Sequence, residues 1–328
     1  MRVLVLGGTG SMAHRVVEAA LAQGHEVMVV TRGRRPVAAP PGVRVLQADR
    51  TALRSEAKAL DAFSPEAVVD AICFQPAQAQ DLVDLFPSAR RVVLVSSVDV
   101  YGEDVGGMPV TEERDPHPVT PYATAKAECE RIVLSGLGRR ATVIRPSHML
   151  GRTYLTTSLW SRSPYLVDRI RKGKPIPAID GGRNLMTPVW SLDVASWILA
   201  TLDRSGADGE IFNAVGAETV TQRDYYETIA RILGVELRIV AVSSQVFQRY
   251  VESPSAFNWH RPYSNAKAVS RLEYQPRATL RSMMEETVQH MLEHSLVRDC
   301  AGEPRDDALV ELLLRHEAEL GVALGGKG

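Results

Sequence analysis

Through the first 146 residues, short apolar runs rich in Val, Ile and Leu alternate with stretches whose apolar residues recur at helical spacing. The runs fall at 3–6, 26–30, 43–46, 67–72, 91–95 and 141–144. This alternation predicts β-α-β units, and therefore a parallel sheet with helices on both faces. Between the first two runs, Val16, Val17, Ala20 and Leu21 share one face of a predicted helix over 13–22, and Gly24 ends it. The expected class is α/β, a doubly wound parallel sheet with a smaller, discontinuous α/β substrate-binding region.

After Arg145 and Pro146 the pattern loosens into a Ser-, Thr-, Pro- and Arg-rich stretch at 147–184, then turns helical again at 192–202. A strand at 211–213 follows, then a helix with Thr221 as its N-cap and Gly234 at its end. The expected organisation is a first domain at 1–146 to which about 185–215 returns, a substrate region at about 147–184 and 216–298, and a C-terminal helix and tail at 303–328. That last helix presents Leu309, Leu312, Leu313 and Leu320 on one face, for docking onto its own domain or for a subunit contact.

Composition narrows the partners. The 328 residues are 45% hydrophobic, enough for a full-sized core, and 38 basic side chains balance 39 acidic ones. No global field recruits nucleic acid or an anionic membrane, so a small-molecule substrate selected by local contacts is expected. Cys73, Cys129 and Cys300 are far apart and lack metal-ligand spacing, which argues against disulfides and a metal site. The first run starts at Val3 and no apolar segment reaches the length of a signal peptide or membrane span, so a cytoplasmic location is expected.

Gly7, Gly8, Thr9, Gly10, Ser11, Met12 and Ala13 follow the first run and open the first helix. In that context glycines allow a tight turn and close approach of backbone N–H groups to a pyrophosphate, and the helix N-terminus adds partial positive charge. Gly7, Thr9, Gly10, Ser11 and Met12 are accordingly assigned to a dinucleotide, in a Rossmann-type domain. Ala13 replaces a third glycine but still permits close helix packing. The second run ends in Thr31, Arg32, Gly33, Arg34 and Arg35 with no acid for a ribose 2′-hydroxyl. Guanidinium groups at Arg32 and Arg34 suit a 2′-phosphate, favouring NADP with NAD as the other choice, unless these arginines form only a solvated loop. Asp49 and Arg50, after the third run, are placed to reach the adenosine, and Ala71, in the fourth, joins the same set.

Thr120, Pro121 and Tyr122 read as an N-cap, a first helical proline and the start of a helix that carries Lys126 one turn on. Residues i and i+4 share a face, so Tyr122 and Lys126 project together. A phenol with a pKa near ~10 needs about 4 kcal/mol of preferential phenolate stabilisation to drop three units, which a fixed ammonium and a nicotinamide cation can supply. Ser97, at the end of the fifth run, can donate a hydrogen bond to a substrate oxygen as charge develops. The spacing of four is common alone; combined with the phosphate loop and Ser97 it points to acid/base chemistry.

Together these segments resemble the extended short-chain dehydrogenase/reductase superfamily, in its NAD-dependent epimerase/dehydratase branch. The resemblance rests on the Gly7 loop, Ser97 to Gly102, Pro121 to Lys126, Arg145 with Pro146, Asp193-Val194-Ala195, Gly209 to Asn213 and Ser264 to Lys267, over about 1–295. It implies Ser97 as substrate-orienting hydroxyl, Tyr122 as acid/base, Lys126 as holder of the nicotinamide ribose, and Pro146 and His148 near the nicotinamide end. Three departures stand out. Only 76–87 separates the fourth and fifth strands, where family members carry a long helix that builds their dimer, so a monomer or an atypical dimer is expected. Met186 replaces an arginine that grips nucleotides in many nucleotide-sugar enzymes. Val98 and Asp99 follow Ser97 in place of the Asp-Glu pair of dehydratases; Asp99 is open either as a second carboxylate or as a loop cap. The expected activity is redox or epimerase-type chemistry on a secondary alcohol or ketone of a sugar-like substrate. A catalytically silent regulatory or RNA-associated protein is the alternative.

Overall fold

Strands β1 (Arg2–Leu6), β2 (Glu26–Thr31), β3 (Arg44–Gln47), β4 (Ala67–Asp70), β5 (Arg91–Val95), β6 (Ala141–Pro146) and β7 (Glu210–Ala214) form one seven-stranded sheet in the computed structural model. The order is β7-β6-β5-β4-β1-β2-β3 and every pair is parallel. The structure describes residues 1–33, 39–103, 106–251 and 258–325. Strand order reverses beside β1, so the carboxyl ends of β1 and β4 flank a crevice where ligands of such sheets bind.

Alternate side chains of each strand feed opposite faces. Val3 and Val5 join a core with Val16 and Val17 of α1 (Ser11–Ala22) and with Val194 and Ile198 of α5 (Ser191–Asp203). Leu4 and Leu6 join the other core, with Leu60 of α2 (Ala57–Phe63), Leu82 of α3 (Pro76–Leu85) and Val133 of α4 (Pro121–Leu137). Local signals set the helix ends. Thr120 accepts from the Ala123 N–H at 3.1 Å with Pro121 at the first helical position, and Gly138 stops α4 at φ 56°. Gln75 and Gln78 cap α3 reciprocally.

The chain divides into two compact units. The first is Met1–Met149, Val189–Ala217 and Tyr263–Ala278; the second is Leu150–Pro188, Glu218–Pro262 and Thr279–Gly328. Residues 263–278 were expected with the second region, yet they belong to the first. Ala268 and Leu272 of helix α6 (Ala266–Leu272) are buried in the core of α1 and α5. Asp193 of α5 also accepts from the Tyr274 hydroxyl at 2.7 Å and the Arg277 N–H at 3.2 Å. Nothing in the local periodicity of this segment announces which core takes it.

In the second unit, strands Ile176–Ile179 and Ile239–Val242 pair in parallel. The C-terminal helix Pro304–Ala323 packs here through Leu309 and Leu313 against Leu159, Ile179, Val242 and Phe247. Asp306 accepts from the Trp160 indole N–H at 2.8 Å, and Asp307 pairs with Arg169 at 2.8 Å. Leu312 and Leu320, grouped with Leu309 by the sequence pattern, are exposed instead. The buried stripe is the four-residue spacing 309–313, and Leu312 falls beside it.

One buried ion pair fixes α4 to the sheet. Arg145 of β6 donates to both carboxylate oxygens of Glu130, at 3.0 Å and 2.6 Å, with neither side chain reaching solvent appreciably. The Arg145 guanidinium also lies 4.7 Å from the Tyr101 ring centre, and the Tyr101 hydroxyl donates to Asn213 at 2.8 Å. Burial pushes the Tyr101 phenol up to about 12, so this tyrosine braces the scaffold and does not exchange protons near neutrality. Removing one partner of a buried pair leaves an uncompensated charge, so Glu130→Ala is expected to cost about 3–5 kcal/mol in urea unfolding. Glu130→Met combined with Arg145→Met should recover most of that loss.

Candidate dinucleotide and acid/base site

The loop between β1 and α1 uses its three glycines for different reasons. Gly7 adopts φ +89°, and a Cβ there would stand 2.5 Å from the Ile72 side chain. A Cβ on Gly8 would stand 2.7 Å from Val29, so Gly8 lets α1 approach β2. Gly10 is needed for neither: its φ is −77°, and only the Gly7 carbonyl oxygen, at 3.6 Å, would meet an added Cβ. Gly10 leaves the N-terminus of α1 without a side-chain cap, and the first turn holds no acid. Its N–H groups therefore offer donors and positive potential. The Ser11 hydroxyl oxygen is buried there with no hydrogen-bond partner. Ala13 is buried against the sheet core, which the missing third glycine does not disturb.

A cavity of about 390 Å³ opens on this loop, lined by Gly7, Thr9, Gly10, Thr31, Arg32, Ala48, Asp49, Arg50, Thr51, Ile72, Phe74 and Gln78. Of the residues assigned from sequence, Gly7, Thr9, Gly10, Arg32, Asp49 and Arg50 line it. Arg34 lies outside the described residues. Ala71 is not part of the lining; its N–H donates to the Leu6 carbonyl at 3.1 Å, and Ile72, one residue on, lines the cavity. Ser11 and Met12 open α1 behind the loop, with Met12 packed into the core. Pro146 ends β6 opposite Ala214, and the His148 carbonyl accepts from the Val189 N–H at 2.9 Å.

Arg50 is at the cavity but its charge is committed elsewhere. Its guanidinium pairs with Asp70 at 2.9 Å and Asp81 at 3.1 Å and donates to the Gln78 carbonyl at 2.5 Å. It shapes the wall and is no free anion ligand. Asp49 accepts from the Thr51 N–H at 2.9 Å and hydroxyl at 2.7 Å, which caps the turn Arg50–Glu56. Arg32 is exposed at the end of β2, beside Thr31, whose hydroxyl oxygen lies 3.5 Å from that of Thr9.

The residues that the sequence points to for acid/base chemistry lie around the ends of β4 and β5. Lys126 is 2% exposed, and its ammonium donates to the Cys73 carbonyl at 2.8 Å and the Val95 carbonyl at 2.5 Å. Burial pulls its pKa below the usual lysine range, with Cys73, Asp70, Cys129 and Glu130 drawing it back. Two N–H groups are thus used and an ammonium has three. Tyr122, one turn earlier on α4, is 43% exposed. Ser97 follows β5 and accepts from the Asp99 N–H at 3.2 Å, which leaves its own hydroxyl hydrogen to donate. Asp99 lies in the first turn of the short helix Val98–Tyr101 that Ser97 caps. Ser96, buried beside it, has a hydroxyl with no hydrogen-bond partner. The Cys73 thiol is pushed far up by its contact with Cys129 and by burial, so Cys73 serves through its carbonyl.

A sequence profile of the NAD dependent epimerase/dehydratase family matches residues 3–214. The chain belongs to that family. Over 253 residues it is 28% identical to the 2′-dehydrokanamycin reductase of Streptomyces kanamyceticus, covering 75% of this chain and 70% of that protein. It is 26% identical over 235 residues to the chloroplast stem-loop binding protein of 41 kDa b of Arabidopsis thaliana, covering 67% and 60%. The fold is that of the dTDP-glucose 4,6-dehydratase of Bacillus anthracis solved with NAD, at TM-score 0.74 and 19% identity over 90% of this chain and 97% of that one.

The residues present fit the NAD of this family. The uncapped helix start, the orphaned Ser11 hydroxyl and the space kept open at Gly10 have no use in the protein's own packing, and each suits a pyrophosphate. Sequence reasoning missed Thr31, Ala48, Thr51, Ile72, Phe74 and Gln78 in the wall. The only signal for them was their position at or after a strand's carboxyl end. Gly10→Ala and Gly8→Ala should therefore separate. Gly10→Ala is expected to weaken NAD binding at least ~10-fold by calorimetry while costing within about 1 kcal/mol of stability. Gly8→Ala should cost roughly 1–3 kcal/mol in unfolding, because α1 must retreat from Val29.

Proposed function

We propose that the protein is an NAD(P)-dependent oxidoreductase or epimerase-type enzyme acting on a secondary alcohol or ketone of a sugar-like substrate, with NADP preferred. The observation that carries the reading is the Lys126 ammonium, buried between the ends of β4 and β5 and one helical turn from the exposed phenol of Tyr122. In the oxidative direction Tyr122, as phenolate, takes the substrate hydroxyl proton. Ser97 donates to the substrate oxygen and orients it. Lys126 stabilises the phenolate and keeps a donor for the cofactor ribose. A bound nicotinamide supplies the hydride acceptor, or the donor in reverse.

The sugar-like class draws on the 2′-dehydrokanamycin reductase and on the sugar nucleotide named for the dTDP-glucose dehydratase. Reduction or epimerisation is favoured over 4,6-dehydration, since Val98 and Asp99 stand where dehydratases carry their Asp-Glu pair. A second reading, a catalytically silent RNA-associated protein, draws on the similarity to the chloroplast stem-loop binding protein. The formal net charge of −1 weighs against it, because RNA binding is dominated by phosphate contacts. A salt-sensitive gel shift with stem-loop RNA, together with absent turnover across ketosugars, would favour that second reading. No helix among the described residues is long and apolar enough to cross a membrane.

Tyr122→Phe should lower turnover by about 10²–10⁴-fold in an assay that follows reduced nicotinamide absorbance, with dinucleotide affinity retained. Turnover equal to wild type would remove Tyr122 from the acid/base role. For cofactor choice, Arg32→Ala should weaken NADP binding by about 1.5–3 kcal/mol and leave NAD nearly unchanged, because only the 2′-phosphate needs a charge-assisted donor there. Equal losses for both dinucleotides would assign Arg32 to the shared part of the cofactor.

A further inference from the structure

Phe74 keeps 44% of its surface exposed, although an aromatic ring gains most from burial. It stands on the short loop after β4, in the wall of the dinucleotide cavity. Its own N–H is held by the Gln78 side-chain oxygen at 2.7 Å, so the capping of α3 sets the loop that aims the ring. The Lys126 ammonium lies 5.1 Å from the ring centre, and the Tyr122 ring centre is 6.4 Å away at an interplanar angle of 43°. The residue before it, Cys73, gives Lys126 one of its two carbonyl partners. The five-residue loop 71–75 thus touches both members of the acid/base pair and the cavity beside them.

The charged and titratable groups facing Lys126 are Asp70 on β4, Cys73 after it, and Cys129 and Glu130 on its own helix. Asp70 is held by Arg50 and Glu130 by Arg145, so each carboxylate already has a cation. The Cys73 thiol is held protonated. The face of the Phe74 ring, with its negative quadrupole, offers further compensation for the buried ammonium.

We propose that Phe74 is a positioning residue for the acid/base pair: its ring keeps the Lys126 ammonium charged and in place, and thereby lowers the cost of ionising Tyr122. This rests on the reading of Tyr122 as the acid/base. A leucine at 74 preserves apolar bulk but removes the quadrupole; a tryptophan preserves an aromatic face and adds no titrating group.

The test is a pH titration of tyrosinate absorbance on the full-length protein without cofactor, with Tyr122→Phe identifying the Tyr122 step. Phe74→Leu should raise that step by roughly one pKa unit, and Phe74→Trp, which keeps an aromatic face and adds no phenol, should leave it in place. The limb of the pH–turnover profile that reports Tyr122, acidic in the oxidative direction and basic in the reductive one, should move the same way. Circular dichroism and thermal unfolding check that the half-exposed substitution leaves the fold intact. A Phe74→Leu titration that overlays wild type overturns the proposal. The two readings fail separately: active Tyr122→Phe sinks the acid/base assignment, whereas inactive Tyr122→Phe with an unshifted Phe74→Leu titration sinks only the role of Phe74.

Discussion

A lysine ammonium almost wholly removed from water needs partners in place before it can stay charged, and Lys126 finds two in the carbonyls of Cys73 and Val95. Those carbonyls are available because strands end there. Inside a ladder each C=O is consumed by a neighbouring strand, but Val95 is the last residue of β5 and Cys73 lies three residues past the end of β4, so both oxygens can turn to Lys126. The site therefore depends on both strands ending at one level, which the parallel register Ala67 to Arg91 through Asp70 to Leu94 secures. The position of α4 matters equally, and the Arg145–Glu130 pair with the Thr120 cap fixes it.

Much of this architecture is readable in the chain because each strand is a short β-branched run and each crossover has its own helical period. Both cores follow from side-chain alternation alone, as Val3 and Val5 against Leu4 and Leu6 illustrate. The excursion of Tyr263–Ala278 into the first unit is not readable. Its anchors, Asp193 with Tyr274 and Arg277, are polar contacts between segments about 80 positions apart, and no local pattern encodes such a pairing. The C-terminal helix shows a related limit: an apolar stripe reports amphipathicity, but which edge is covered depends on the surface it meets, so Leu313 packs while Leu312 is exposed.

The candidate site was legible in proportion to how local its chemistry is. The glycine loop and the Tyr122–Lys126 spacing are contiguous in sequence, and both appear at cavity or strand ends as their spacing implies. Arg50 shows where that reasoning stops. A guanidinium after β3 looks like a ligand, until Asp70 and Asp81 claim it from 20 and 31 residues away. Phe74 shows the converse: an isolated aromatic in a loop has no motif, and its importance emerges only from what folding places beside it.

Buried cations of this fold can be sorted by the kind of partner they keep. Among the described residues, three cationic side chains are exposed by 2% or less: Lys126, Arg145 and Arg169. Arg145 is paired with Glu130 and Arg169 with Asp307, so each charge has a full counter-ion that ties two elements together. Lys126 is held by dipoles, which compensate an ammonium only in part and leave its positive potential directed outward. A full counter-ion at that point would cancel the field that a phenolate one turn away requires. That Lys126 has no direct carboxylate partner among the described residues is thus a condition that the proposed acid/base role of Tyr122 requires, whereas Arg145 and Arg169 have full counter-ions.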